Sequence, residues 1–549
     1  MGSSAGHLFV GGKVFLHANQ PGLETEPQFG SAIFVRDGTI EHVGFEDDEP
    51  IVQCRAAGAV VHDLKGRTVL PGFIDGHIHL LRLGQSLSKA ALDHCENSED
   101  VRKAIKEHAL ANPDEPRVLC KGWMRHMSEP LASLIDDIDP RPIYVDSKDL
   151  HTTWCNTAAL KELDAKNLKD PEGGKIVRDE NGKPTGAFEE AAVFTMIWPF
   201  LSDVATEKDR EDWIRAAVQA YNSSGYTGAI DMAMEEQAWD TLLKIRKEQP
   251  KQSLPFRLAA YWLLTPTTSE ADCLAQVDRV IEVHKQLSAE ESPDLHVVGI
   301  KLITDGIIDA CTAYLSEPYL QGADVAKQST GQPFWEPEIV NAAVRKADAA
   351  GLQIALHAIG DAAITMCLDA LSTCSPKNRH RMEHLELASA RDAKRLGEFG
   401  ITASIQPVHA DPWILRAWPT LLGPHRCTRA FPYREFSDGG APLALGSDSP
   451  TSPWAIMANV YVGATRRSYR NPSYAHVVNH DFRLGVCEAV VAASYGSARS
   501  VFWDGRLGSL ESGKRADLTV WDMVWDEERL LEARLEETWF DGERIWSAE

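Results

Sequence analysis

Apolar residues along this chain follow two periods, and the change from one to the other sets out the architecture. Between residues 7 and 70 they come in short β-like runs: 7–17, then Ala32-Ile33-Phe34-Val35 and Thr39-Ile40-Glu41-His42-Val43 on either side of Asp37-Gly38, then Gly66-Arg67-Thr68-Val69-Leu70. Asp-Gly between two β-rich runs predicts a hairpin, because glycine accepts a positive φ. The end of the chain has the same character, in Ala516-Asp517-Leu518-Thr519-Val520-Trp521 and in residues 538–546. Neither piece has enough strands to stand alone, so residues 1–70 and 505–549 are expected to pair into one composite β-sandwich domain.

Between these ends helix and strand alternate. Pro337 suits a first helical position, Val340, Ala343, Val344 and Ala347 follow at helical spacing, and Gly351 stops the helix before the apolar run 352–357. Ser389 caps a helix that ends near Gly400, and a helix around Trp213 to Tyr221 stops near Gly225. Strands are expected at 72–77, 227–232, 256–262, 296–303, 352–357, 380–384, 401–406 and 442–447. Eight strands separated by helices imply an α/β fold, a closed (β/α)8 TIM-type barrel over residues 71–504. The gap after the first strand is far longer than a crossover needs, so an inserted subdomain is expected at about residues 82–210, with strands near 118–121 and 143–145.

Composition narrows the function. With 44% hydrophobic and 25% charged residues the chain has the balance of a soluble globular protein, and its net charge of −24 disfavours a nucleic-acid partner. The basic run Thr465-Arg466-Arg467-Ser468-Tyr469-Arg470 reads as a solvated face or a local anion contact. Ten scattered cysteines form no Cys-x-x-Cys pair, which suits a reducing compartment and argues against cysteine-bound structural zinc. No secretory pattern and no run of about 18 apolar residues is present, so the expectation is a cytoplasmic protein acting on a small molecule, with no membrane partner.

The candidate chemistry begins in Pro71-Gly72-Phe73-Ile74-Asp75-Gly76-His77-Ile78-His79-Leu80. Alternate side chains of a strand share a face, so His77 and His79 can converge on one metal ion, although a lone His-x-His is as readily two satisfied core histidines. The other strand ends shift that balance. His357 closes strand five, His384 closes strand six, and Asp448 follows strand eight, all at the barrel face where functional groups gather. Four imidazoles and a carboxylate suit zinc, with manganese or iron as alternatives. Lys301, within strand four, either pairs with Asp305 or is carboxylated to a carbamate that bridges two metals, since a bare buried ammonium beside a cation is costly.

These residues, with Ile300-Lys301-Leu302-Ile303-Thr304-Asp305-Gly306, Leu356-His357-Ala358-Ile359-Gly360-Asp361, Arg381-Met382-Glu383-His384, Gly446-Ser447-Asp448-Ser449-Pro450 and residues 508–518, resemble the amidohydrolase superfamily. Within it they are similar to the family 3 branch of YtcJ-like hydrolases and N-substituted formamide deformylases. The resemblance implies that His77 and His79 bind a first metal, His357 and His384 a second, and that carboxylated Lys301 bridges them. Asp448 would touch the first metal and act as general base and then acid. Asp149-Leu150-His151-Thr152-Thr153-Trp154-Cys155-Asn156 resembles a stretch of the branch whose histidine, here His151, would donate a proton or polarise a carbonyl. By the same analogy the chain would be a homodimer.

The expected activity is therefore hydrolysis of a non-peptide C–N bond: an amide, an N-substituted formamide or an acyl amide. Trp123, Trp154, Trp198, Trp413 and Trp454 fall in loops or the insert, where Trp123 and Trp154 could wall a substrate pocket, and Arg434 could meet a substrate anion. Two alternatives stand beside this. A heterocycle deaminase on the same scaffold needs no strand-four lysine, so Lys301 argues against it; a non-catalytic barrel has no need of an intact ligand set.

Overall fold

The structure, a computed structural model, describes residues 5–16, 26–148, 152–171, 174–190, 192–249, 254–287, 292–320 and 329–548. It divides into two compact units, Met1–Leu80 with Val218–Glu549, and Leu81–Ala217.

The larger unit is built on eight parallel strands: β1 (Phe73–Ile78), β2 (Tyr226–Met234), β3 (Arg257–Leu263), β4 (Leu295–Ile303), β5 (Gln353–Ala358), β6 (Arg381–His384), β7 (Thr402–Ile405) and β8 (Leu443–Leu445). Each pairs in parallel with the next in chain order. All six residues of β1 are buried, as are eight of the nine in β4, so these strands read as apolar runs rather than alternations. The eight expected strands are the eight observed. Helices separate them where the periodicity changes: Ser389 caps Ala390–Glu398 by accepting the Asp392 amide, and Gly351, at φ 78°, ends Pro337–Ala349.

The sheet closes between its first and last strands. Asp448 N donates to His77 O at 2.8 Å, and His79 N donates to Ser449 O at 2.9 Å. Gly446 permits this approach: a Cβ there would lie 2.5 Å from His77 N. At the opposite end Gln353 donates to Ser500 O and Arg381 to Ser500 Oγ, so the short helix Ser497–Ser500 floors the lumen.

Strands from both chain ends form one eight-stranded sheet. Its order is Glu543–Ser547, Arg534–Phe540, Leu518–Asp522, Thr68–Pro71, His7–Phe15, Phe29–Arg36 and Thr39–Gly44, with Val60–Asp63 beside His7–Phe15. The two ends meet where Leu518–Asp522 runs antiparallel to Thr68–Pro71. Their side chains share a core, Phe9, Ile33 and Val69 packing with Leu518, Val520 and Trp539. Asp37 and Gly38 both take positive φ, 49° and 76°, which matches the twist of the hairpin they turn. Arg257, 1% exposed at the start of β3, ties this sheet to the barrel through Asp517, Asp541 (2.5 Å) and Asp294 (2.9 Å).

The unit Leu81–Ala217 has its own six-stranded sheet. The order is Gly174–Arg178, Pro184–Glu190, Thr152–Cys155, Ile143–Ser147, Val118–Trp123 and Ala90–Ala91. Helix Ser98–Ala111 packs Val101, Ile105 and Ala109 against it, and Asn97 caps that helix. All ten cysteines are free thiols. Among the described residues no helix is long and apolar enough to cross a membrane.

Candidate metal centre

Strand ends bring the candidate ligands together. His77 and His79 leave β1 with ring centroids 5.5 Å apart, and His77 lies 5.0 Å from His384, which is 4.3 Å from His357. Asp448 Oδ1 lies 3.4 Å from His77 Nε2 and 3.1 Å from His79 Nε2. Two of these residues owe their place to backbone that side chains disfavour. His384 (φ 74°) and Asp448 (φ 59°) adopt left-handed conformations that cost about 1–3 kcal/mol each, and such strain collects where geometry serves function.

The orientation of His77 is fixed from behind. Its Nδ1 donates to Glu383 Oε2 at 2.8 Å, leaving Nε2 on the side of Asp448. Glu383 is in turn gripped by Arg381 (2.7 and 3.1 Å), whose guanidinium also donates to Gly76 O and Ser404 Oγ. A buried carboxylate behind an imidazole is the arrangement that selects the tautomer of a metal-ligating histidine. Burial alone would raise Glu383, but Arg381 and His77 overcome it and hold the carboxyl below its usual range.

Five polar atoms of the site stand unsatisfied. His79 Nδ1, Lys301 Nζ, His357 Nε2, His384 Nδ1 and Asp448 Oδ1 are buried with no hydrogen-bond partner among the described residues. Buried polar groups are normally paired, and two of these residues, His384 and Asp448, together with His77 bring ligand atoms within 4.8 Å of one another, close enough to share one ion. Burial takes His77 down to about 4 and His357 to about 3, and His384 well below its usual value, so these imidazoles are neutral with a free lone pair. Burial also lowers Lys301 to about 8, with Arg381 adding to the effect and Glu383 and Asp448 opposing it. Asp305 does not neutralise this lysine. Its carboxylate accepts the backbone amides of Tyr314, Ile359 and Gly360 (2.9, 3.0 and 2.9 Å) and clamps the loops after β4 and β5. The donor set of neutral imidazoles and a carboxylate fits a divalent cation.

Other expected site residues lie elsewhere. Trp123 and Trp154 are fully buried in the core of Leu81–Ala217, their rings 5.7 Å apart and Trp154 donating to Leu131 O, so they are packing residues and not a pocket wall. Arg434 pairs with Asp438 at 2.8 Å and lies 3.6 Å from Glu488, so its charge is already taken. Trp454 donates to Ser224 and stacks on Tyr221 as part of the scaffold, and Trp413 sits under Arg416. His151 lies outside the described residues.

Sequence reasoning passed over His409 and Glu386. His409 follows β7 in the turn Pro407–Ala410, and its Nδ1 lies 3.4 Å from Glu386 Oε1, its Nε2 3.7 Å from Asp448 Oδ2. The strand-end rule that picked out the other histidines applies to it equally. Glu383 also had a signal, since Arg381 and Glu383 alternate along one short strand.

Fold and site together define a (β/α)8 barrel with a metal-binding type of donor set at the C-terminal ends of its strands. The profile of the amidohydrolase family matches residues 60–546, and the chain belongs to that family. It is 27% identical over 543 residues to Protein LONG AFTER FAR-RED 3 of Arabidopsis thaliana, covering 94% of this chain and 88% of the relative. It is 26% identical over 545 residues to the N-substituted formamide deformylase of Arthrobacter pascens, covering 93% of each. Among solved structures, an uncharacterized metal-dependent hydrolase from Pyrococcus horikoshii OT3 shares the fold, with a TM-score of 0.76 at 24% identity, over 94% of this chain and 98% of the other. Family membership makes the protein a hydrolase.

Proposed function

We propose that this protein hydrolyses the C–N bond of a small amide, of the N-substituted formamide or acyl-amide class, using one or two divalent metal ions, zinc foremost. The observation that carries the reading is the set of orphaned donor atoms on His79, Lys301, His357, His384 and Asp448, beside a His77 pre-oriented by Glu383. His77 and His79 would hold one ion with Asp448. His357 and His384 would hold a second, with Lys301 as a carbamate between them. When bound, the metal lowers the pKa of water toward about 7 and polarises a carbonyl. Asp448 takes the proton of the attacking water and returns it to the departing nitrogen, acting first as base and then as acid. Its Oδ2 faces away from His77 and His79, toward His409, so one carboxylate reaches both the water and the leaving group. The formamide class is suggested by the Arthrobacter pascens relative, which spans nearly the whole chain.

Metal analysis of the purified protein, combined with a screen of N-alkyl formamides and acyl amides, tests the reading. Expected are bound divalent metal, turnover of at least one amide, and a loss of about 100-fold or more in Asp448→Asn. Full activity in a metal-stripped Asp448→Asn protein would overturn it.

A further inference from the structure

Among the described residues, His409 is the one imidazole of the cluster that the metal reading leaves unused, and its surroundings define its hydrogen-bonding state. The backbone that carries it is rigid: Val408 N donates to Asn459 Oδ1 (3.2 Å), His409 N to Gln406 O (2.9 Å), and Tyr433 Oη to Gln406 O (3.2 Å). Glu386, whose side chain is 8% exposed, faces Nδ1 at 3.4 Å. A carboxylate only accepts, so in the neutral ring Nδ1 carries the hydrogen and Nε2 presents its lone pair. That lone pair looks at Asp448 Oδ2 from 3.7 Å, too far for a hydrogen bond and with an acceptor on either side. Two acceptors at that spacing call for a donor between them.

We propose that His409 is a further catalytic residue, accepting a hydrogen bond from the N–H of the scissile amide, and that Glu386 is the residue that positions it. The inference rests on the hydrolase reading above, in which Asp448 delivers its proton to the departing nitrogen. That nitrogen must then lie beside Oδ2, and its own hydrogen meets Nε2. The substrate class follows: secondary amides, R–CO–NH–R′, are preferred over N,N-disubstituted ones, which bring no hydrogen to the gap. The ring of His409 runs nearly parallel to that of His384 (10°, centroids 5.7 Å apart), giving the amide nitrogen a defined lateral wall.

The test compares N-benzylformamide with N-benzyl-N-methylformamide at alkaline pH, where the imidazole is neutral, in metal-replete wild type, His409→Phe and Glu386→Gln. Wild type should favour the secondary amide in kcat/KM. His409→Phe keeps ring bulk and removes the acceptor, so it should narrow the preference about tenfold through loss of one hydrogen bond, with metal content unchanged. Glu386→Gln should narrow it less, since its amide oxygen can still receive the Nδ1 hydrogen. A merely structural role would lower both substrates together and leave their ratio intact, which would overturn the contact. Loss of metal from His409→Phe would make it a ligand, and also overturn the proposal. If metal-replete wild type hydrolyses neither, the same comparison is made with a secondary amide that the screen above finds turned over and its N-methyl counterpart; turnover of no amide at all would overturn the parent reading, and this one with it.

Discussion

Lys301 provides a sharp test, because its effect on stability should change sign with metal. In metal-stripped, bicarbonate-free protein its ammonium is 1% exposed and has no hydrogen-bond partner among the described residues. Its fall from 10.5 to about 8 corresponds to a penalty of about 3 kcal/mol on the charged form. Lys301→Met keeps the aliphatic stem and removes the charge, so the stripped variant should be more stable by about that amount at neutral pH, a rise in Tm of about 2–3 °C for a chain of this size. Because the folded pKa is depressed, the cost is complete below about pH 8. Between there and 10.5 only the unfolded chain holds the proton, so wild-type stability rises with pH and the advantage of the variant shrinks. With metal and bicarbonate supplied the order should reverse, since a ligand is missing. Calorimetry at several pH values reads both effects. A stripped Lys301→Met protein that melts below wild type, or an advantage equal at pH 7 and pH 10.5, would refute the account.

Other parts of the structure give independent expectations. Glu383→Gln removes the charge behind His77 and should weaken metal affinity about 10–100-fold by titration calorimetry; unchanged affinity would show that the pair is incidental. Gly446→Ala puts a Cβ 2.5 Å from the backbone of His77 and should cost about 2 kcal/mol or more in denaturant melts, with lowered metal occupancy; wild-type values in both would contradict the packing at the seam. Arg257→Met leaves Asp517, Asp541 and Asp294 without their shared cation and should cost about 3 kcal/mol, read as a lower urea midpoint; an unchanged midpoint would show that the network adds nothing.

The barrel was legible because its strands are buried on both faces. Apolar runs such as Leu295–Ile303, closed off by glycine or a helix cap, stand out from the amphipathic helices between them. The antiparallel strands Pro184–Glu190 and Thr152–Cys155 were not legible, since they are short, rich in Thr and Glu, and lack the apolar run. At the site, strand ends pointed to the imidazoles, but nothing in the residue order shows that His384 turns through φ 74° to reach His357. Nor does it show that Glu383 serves His77 across 306 positions. Tryptophan misled for a related reason: Trp123 and Trp154 lie near loops in the sequence, yet their large rings are what the small sheet of the second unit needs as a core.

The barrel seam has a consequence for how the protein is made. Asp75 accepts the amide of Ser447 from 372 positions away, and His77 and His79 meet Asp448 across the same junction. A growing chain therefore carries its first two imidazoles from the outset but acquires their carboxylate only after seven more strands exist. An ion held by both sides would act as a clasp on the joint between the first strand and the last. Metal supply would then govern how long the finished ring stays shut, and a chain that stops short of Asp448 would be left with histidines and no means of fastening them.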